Sequence, residues 1–220
     1  MKASVVIVAA GSGRRIGQKK QFIALRGTPI LKRSVAVFDK HDAIEHIVVV
    51  VSPEDVSSCS TMLADTSTPL IVTAGGASRS DSVRCGLDHL AHSKVVMIHD
   101  GVRPFVTPEL ISRLLENIEG YDACIPGLEV SDTLKEIHGD TVLKTVSREN
   151  LFQVQTPQAF ISELIIRAHE TRSEQATDDS FLIEKAGGKV RLVKGDPYNI
   201  KITLPEDILL AEAILTCRTE

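Results

Sequence analysis

Tryptophan is absent from this 220-residue chain, and only two tyrosines and six phenylalanines are present. A core must therefore be aliphatic, and a hydrophobic content of 43% is enough to build one. No excess of positive charge exists: the net charge is −4, so there is no global basic field and a nucleic-acid partner is not expected. The four cysteines (Cys59, Cys85, Cys124, Cys217) are far apart and form no C-x-x-C pair, which excludes the usual zinc and disulfide frameworks. Cys85 and Cys124 sit in apolar contexts and are expected as buried thiols. No apolar run is long enough to span a bilayer, so no membrane partner is expected. The chain opens on a strand-like run without the charged start and cleavage site of a secretory signal, and a cytoplasmic location is expected. Internal repeats, low-complexity linkers and domain boundaries are also lacking, so residues 1–220 read as one domain.

What is present is alternation. Apolar strand-like runs at 3–10, 46–51, 70–73, 94–98 and 122–126 alternate with amphipathic segments at 29–39, 53–64, 79–91 and 107–118. That order predicts an α/β fold: a Rossmann-like, mostly parallel sheet with helices on both faces. Near-continuous runs such as Ile47 to Val51 fit strands buried on both sides. Helices at 162–172 and 178–186, a strand at 189–194 and a closing helix at 205–216 follow. Pro205 with Glu206 and Asp207 marks the last helix start. Residues 130–150 break the pattern. His138-Gly139-Asp140 reads as a turn between two short strands, giving a protruding β-hairpin arm with little apolar surface. A lone hairpin is marginal in water, so the arm needs a partner, either its own body or a second subunit.

Two stretches carry chemistry. The strand Val5 to Val8 runs into Ala9-Ala10-Gly11-Ser12-Gly13-Arg14-Arg15, with Lys19-Lys20-Gln21 close behind. Glycines let backbone N–H groups approach a ligand, and the cations add charge, a combination that suits a polyphosphate. The near-match to G-x-G-x-x-G has its third glycine one position late, at Gly17, and a Walker A sequence is missing. What remains is a nucleoside triphosphate held by the glycine turn and neutralised by Arg15 and Lys20. The second stretch, His99-Asp100-Gly101-Val102-Arg103-Pro104, follows the apolar run Val95 to Ile98 and puts an acid and a cation at another strand end. Gly11, Gly75-Gly76 and Asp100 all follow strands and should share one crevice. Asp100 reads as a helper in holding Mg²⁺ against the phosphates, or as a loop cap. His41, His46, His89, His92, His138 and His169 are scattered and expected at the surface, with His99 packed at its strand end.

The run Ala9-Ala10-Gly11-x-Gly13-x-Arg15 with Lys20-Gln21-Phe22 resembles the nucleotide-sugar pyrophosphorylase type of nucleotidyltransferase. Gly75-Gly76 with Arg79, Asp81-Ser82-Val83, His99-Asp100-x-x-Arg103-Pro104, Asp132-Thr133, Thr156-Pro157-Gln158, Thr177-Asp178 and Asn199-Ile200-Lys201-Ile202-Thr203 narrow the likeness. In this order they resemble the 2-C-methyl-D-erythritol 4-phosphate cytidylyltransferase family over nearly the whole chain. The resemblance implies Arg15 and Lys20 as catalytic residues. It implies nucleotide contacts from Ala9, Ala10, Gly11, Ser12, Gly13, Gly75, Gly76, Ser82 and Asp100, although Ser82 reads equally as a first-turn helix residue. Arg103, Thr133, Arg148 and Lys201 would hold the polyol phosphate. The arm would embrace a second subunit in a homodimer, and Mg²⁺ would accompany CTP. Three places depart from the family pattern: Ala77, where an acid is frequent; Lys19, where proline is usual, so that the loop is expected to be more flexible or more basic; and Gly101-Val102, which replaces the commoner small pair before Arg103 and resembles the ribitol 5-phosphate relative.

The implied reaction needs no general base, because the attacking phosphate monoester, with a second pKa of about 6, is already largely dianionic near neutral pH. Its difficulty is charge on the α-phosphate and the leaving group, which cations relieve. A ribitol 5-phosphate cytidylyltransferase is the alternative within the class, an NAD-binding oxidoreductase the alternative outside it, and a catalytically inactive relative a third.

Overall fold

The computed structural model describes residues 1–11, 17, 19–90, 93–170 and 177–217. Strand β1 (Ala3–Val8) is the centre of the sheet. A two-stranded ribbon, β2 (Ala24–Leu25) and β3 (Thr28–Pro29), leads into α1 (Ile30–Asp39) and β4 (Ile44–Val51). Then come α2 (Val56–Met62), β5 (Leu70–Ala74), α3 (Arg79–Leu87), β6 (Val95–Asp100) and α4 (Pro108–Asn117). Strand β7 (Ala123–Glu129) precedes the arm strands β8 (Leu134–His138) and β9 (Thr141–Val146). The chain closes with β10 (Phe152–Val154), β11 (Gln158–Ile161), α5 (Ser162–Glu170), α6 (Ser180–Lys185), β12 (Val190–Lys194) and α7 (Pro205–Cys217).

The main sheet runs β10-β7-β11-β6-β1-β4-β5, with β12 also paired to β7. β1 lies parallel between β4 and β6, with Val5 opposite Ile47 on one side and Met97 on the other. All six residues of β6 are buried, as the unbroken apolar runs require of strands covered on both faces. One core cluster, with Leu31, Val35, Phe38, Leu110 and Leu114, packs α1 and α4 on one face. A second, with Val83, Leu87, Ile165, Leu182 and Ile183, packs α3, α5 and α6 on the other. The helices start where their caps dictate: Ser78 and Asp81 form a capping box for α3, and Thr107 accepts from Leu110 N–H ahead of Pro108 in α4. Among the described residues no helix is long and apolar enough to cross a membrane.

The expected α/β architecture is present, with differences. Strands β10 and β11 run antiparallel to β7, and β11 antiparallel to β6. They escape sequence reading because they are three and four residues long. Cys124 is buried as expected, but Cys85 is only partly so, and the second buried thiol is Cys59 on α2. In the arm, β8 and β9 pair only with each other as a separate two-stranded sheet, turning at Gly139, whose φ of +59° suits glycine. Ile137, Val142 and Leu143 are more than half exposed there, so within one chain the arm buries little.

Candidate active site at the strand ends

The carboxyl ends of β1, β5 and β6 open into one cleft of about 570 Å³. Its described lining includes Ala9, Ala10, Gly11, Lys20, Gln21, Gly76, Ala77, Arg79, Ser82, Asp100 and Lys201. The glycine run after β5 is a packing requirement as well as a binding surface. A Cβ on Gly75 would lie 2.6 Å from Ser82 Oγ and 2.8 Å from Ala10 Cβ, and one on Gly76 would lie 2.4 Å from Asp81 Cβ. Ser82 is 2% exposed and donates its hydroxyl to Ser78 O, so it serves the first turn of α3 while it borders the cleft. Ser12, Gly13 and Arg15 lie outside the described residues.

Lys20 opens a short 3₁₀ turn, Lys20–Phe22, fixed at both sides. Gln21 Nε2 donates to Gly11 O at 3.3 Å, and Lys19 Nζ pairs with Asp55 at 2.6 Å and Glu54 at 2.9 Å. Lys19, expected to make the loop more flexible or more basic, has its charge taken up by Glu54 and Asp55, while loop residues 12–16 and 18 lie outside the described residues.

Asp100 ends β6 and gathers three cations. Lys201 Nζ lies 2.8 Å from Oδ2, Arg79 Nε 3.3 Å from Oδ1, and Arg103 Nε 3.6 Å from Oδ2. Burial opposes ionisation of Asp100, but Arg79, Lys201 and Arg103 outweigh it and hold the carboxyl well below the usual carboxylate range. Arg79 also pairs with Asp179 at 2.8 Å, and Asp179 is bonded to His169 Nε2 at 3.2 Å. His169, expected at the surface, is 4% exposed. Burial works against the Arg79 charge, yet Asp179 and Asp100 raise its pKa.

A neutral polar frame stands behind the charges. His99 is fully buried, and burial pushes its pKa down to about 4, with Arg103 and Lys201 adding to the effect and Asp100 opposing it. Its Nε2–H donates to Arg103 O at 3.1 Å, which leaves Nδ1 to accept from Thr156 Oγ1 at 3.2 Å. Thr156 Oγ1 in turn accepts from Asp100 N–H at 3.0 Å. Asn199 Nδ2 donates to Thr156 O at 2.8 Å, and Arg103 Nη1 donates to Asn199 O at 2.7 Å. Sequence reading named Asp100, Arg103 and Lys201. It placed Arg79 in a motif without a role and missed Asp179, because that contact joins helices 100 positions apart.

Thr133 and Arg148 do not line this cleft within one chain. Both are exposed at the base of the arm, where Arg148 Nη1 donates to Ser131 O. Among the described residues no three His, Cys, Asp or Glu side chains come together as a metal cage. Asp100 is the one carboxylate among the described lining residues of the cleft.

This site lies in a chain with close relatives. The sequence profile of the 2-C-methyl-D-erythritol 4-phosphate cytidylyltransferase family matches residues 3–217. A 2-C-methyl-D-erythritol 4-phosphate cytidylyltransferase of Geobacillus kaustophilus is 41% identical over 225 residues, covering 99% of each chain. The enzyme of the same name from Halalkalibacterium halodurans is 43% identical over 222 residues, covering 98% of this chain and 97% of its own. The crystal structure of 4-diphosphocytidyl-2C-methyl-D-erythritol synthase from Anaerococcus prevotii superposes with a TM-score of 0.87 at 33% identity, covering 98% of this chain and 96% of that one. With its sequence matched end to end and its fold reproduced in a solved relative, the chain belongs to the 2-C-methyl-D-erythritol 4-phosphate cytidylyltransferase family.

Proposed function

We infer that the cleft transfers a cytidylyl group from CTP to 2-C-methyl-D-erythritol 4-phosphate, giving 4-diphosphocytidyl-2-C-methyl-D-erythritol and pyrophosphate in isoprenoid biosynthesis. One observation carries the mechanism. The described lining of the cleft includes Gly11 and Gly76 with Lys20, Arg79 and Lys201, and it contains no histidine. That arrangement neutralises anions, and among the described lining residues the one carboxylate, Asp100, is held by cations.

The chemistry follows. A phosphate oxygen of the polyol phosphate attacks the α-phosphorus of CTP, a new P–O bond forms, and the bond to the β-phosphate breaks to release pyrophosphate. Lys20 and Arg15 stabilise the five-coordinate α-phosphate and the leaving charge. Gly11 with Gly13, Ala9, Ala10, Ser12, Gly75, Gly76 and Ser82 receive the nucleotide, reading cytosine through backbone groups. Arg103 and Lys201 receive the polyol phosphate. Asp100 fits Mg²⁺ brought in by the triphosphate, since this ion takes one or two carboxylates plus phosphates and water; when bound it would add positive charge to the phosphates. Thr133 and Arg148, being exposed on an arm that buries little in its own chain, complete the polyol site of a second subunit in a homodimer. The enzyme works in the cytoplasm.

The test is product identity. Incubated with CTP, Mg²⁺ and the methylerythritol phosphate, the protein is expected to yield two coupled ³¹P resonances of a diphosphate diester together with pyrophosphate. Nucleotide hydrolysis to CMP without a diester would overturn the reading.

A further inference from the structure

The Asp100 cluster is charge-paired but unevenly satisfied. Lys201 Nζ makes the short contact, 2.8 Å, while its side chain stays 40% exposed toward the cleft. Arg103 Nε is buried, has no hydrogen-bond partner, and lies 3.6 Å from Asp100 Oδ2, beyond hydrogen-bond reach. Its Nη1 is committed to Asn199 O, so the guanidinium cannot swing closer without losing that bond. Arg79 divides itself between Asp100 and Asp179. Asp100 is 7% exposed and caps no helix; its backbone N–H goes to Thr156. Two cations with capacity left over therefore surround a single buried carboxylate, at the place where a second anion is to arrive.

We propose that Asp100 is the resident counter-anion of this cluster, and that a substrate phosphate binds by drawing Lys201 away from it and accepting from the unpartnered Nε–H of Arg103. The inference rests on the reading of the cleft as a polyol phosphate site. Without ligand, the carboxylate holds the cations in position and lowers the cost of keeping them together. It also sets specificity: a bare phosphate must compete with a buried carboxylate for the same donors, so inorganic phosphate is held weakly. Once phosphate has taken Lys201, Asp100 loses its closest cation and keeps Arg79, 3.3 Å from Oδ1.

The probe is inorganic phosphate, titrated in EDTA by calorimetry against the full chain. Asp100→Asn keeps the shape and removes the charge; it is expected to bind phosphate about tenfold more tightly than the wild type. Asp100→Glu keeps a carboxylate and is expected to stay near the wild-type affinity. Adding Lys201→Met to Asp100→Asn is expected to abolish the gain, which separates this site from phosphate bound near Lys20. If Asp100→Asn does not fold, Asp100→Ser carries the same expectation. Equal or weaker phosphate binding by a folded neutral variant overturns the proposal, as does a gain that survives Lys201→Met. Turnover of the wild type with CTP and the polyol phosphate is measured separately: its absence would refute the assigned reaction and leave the phosphate result standing.

Discussion

Replacing Arg79 by methionine tests whether the charge network holds the cleft together. Arg79 is shared by Asp100 and Asp179, at 3.3 and 2.8 Å. Methionine keeps the stem and removes the guanidinium. Asp179, 2% exposed, is then left with His169 as its hydrogen-bond partner, and Asp100 keeps Lys201 and Arg103. Removing one partner of a buried pair costs about 3–5 kcal/mol. The Arg79 side chain is one-third exposed and Asp100 stays paired, so the lower end, about 3 kcal/mol, is expected. For a chain of this size that corresponds to a fall in Tm of about 6–12 °C. Adding Asp179→Asn removes the stranded charge, and the double variant is expected to regain most of the lost stability while staying impaired in turnover, because Asp100 still lacks Arg79. Urea unfolding of the two single variants and the double variant closes the cycle. A loss below about 1 kcal/mol for Arg79→Met, the range of exposed pairs, refutes the reasoning; so does a double variant no more stable than Arg79→Met.

Lys20→Ala and Arg15→Ala are each expected to lower kcat by about 10²–10³ with little change in unfolding, the usual cost of deleting one electrostatic stabiliser; near-normal turnover in stopped pyrophosphate-release assays removes the residue from its role. Mixing Arg15→Ala with Arg148→Ala subunits is expected to restore activity as they exchange, because a shared site leaves one cleft with both lesions and one with neither; no recovery after proven exchange means each site is built within one chain. Burial pushes the thiols of Cys59 and Cys124 up to about 11, with Asp55 adding to the first and Arg191 opposing the second. The folded values lie above the ordinary 9.0, so this contribution to stability is intact below about pH 9 and falls as pH rises toward 11. Thiol titration at pH 8 is accordingly expected to label Cys217 first, with Cys59 and Cys124 reacting only on unfolding; early labelling of either refutes their burial.

Most of the fold was legible because its long signals agree. The Val/Ile runs of β1, β4 and β6 and Pro205 ahead of α7 are local and strong. What escaped depends on tertiary placement. β10 and β11 are too short to carry a period, and their strand character comes from β7 and β6 beside them. In the site, the strand-end residues Gly75, Gly76 and Asp100 could be read from position alone, and Arg103 and Lys201 from family likeness. Arg79, Asp179 and His169 could not be joined by any spacing, since a buried ion pair between distant helices leaves no local pattern. The pairing of Lys19 could not be read either, since Glu54 and Asp55, 35 and 36 positions on, meet it only after folding.

The central claim is that this cleft joins CTP to the methylerythritol phosphate in particular. The direct measurement is kcat/KM from pyrophosphate release with CTP and Mg²⁺, run in parallel on 2-C-methyl-D-erythritol 4-phosphate and ribitol 5-phosphate. The account predicts a much higher value for the methylerythritol phosphate. Equal values, or a preference for ribitol 5-phosphate, would contradict it.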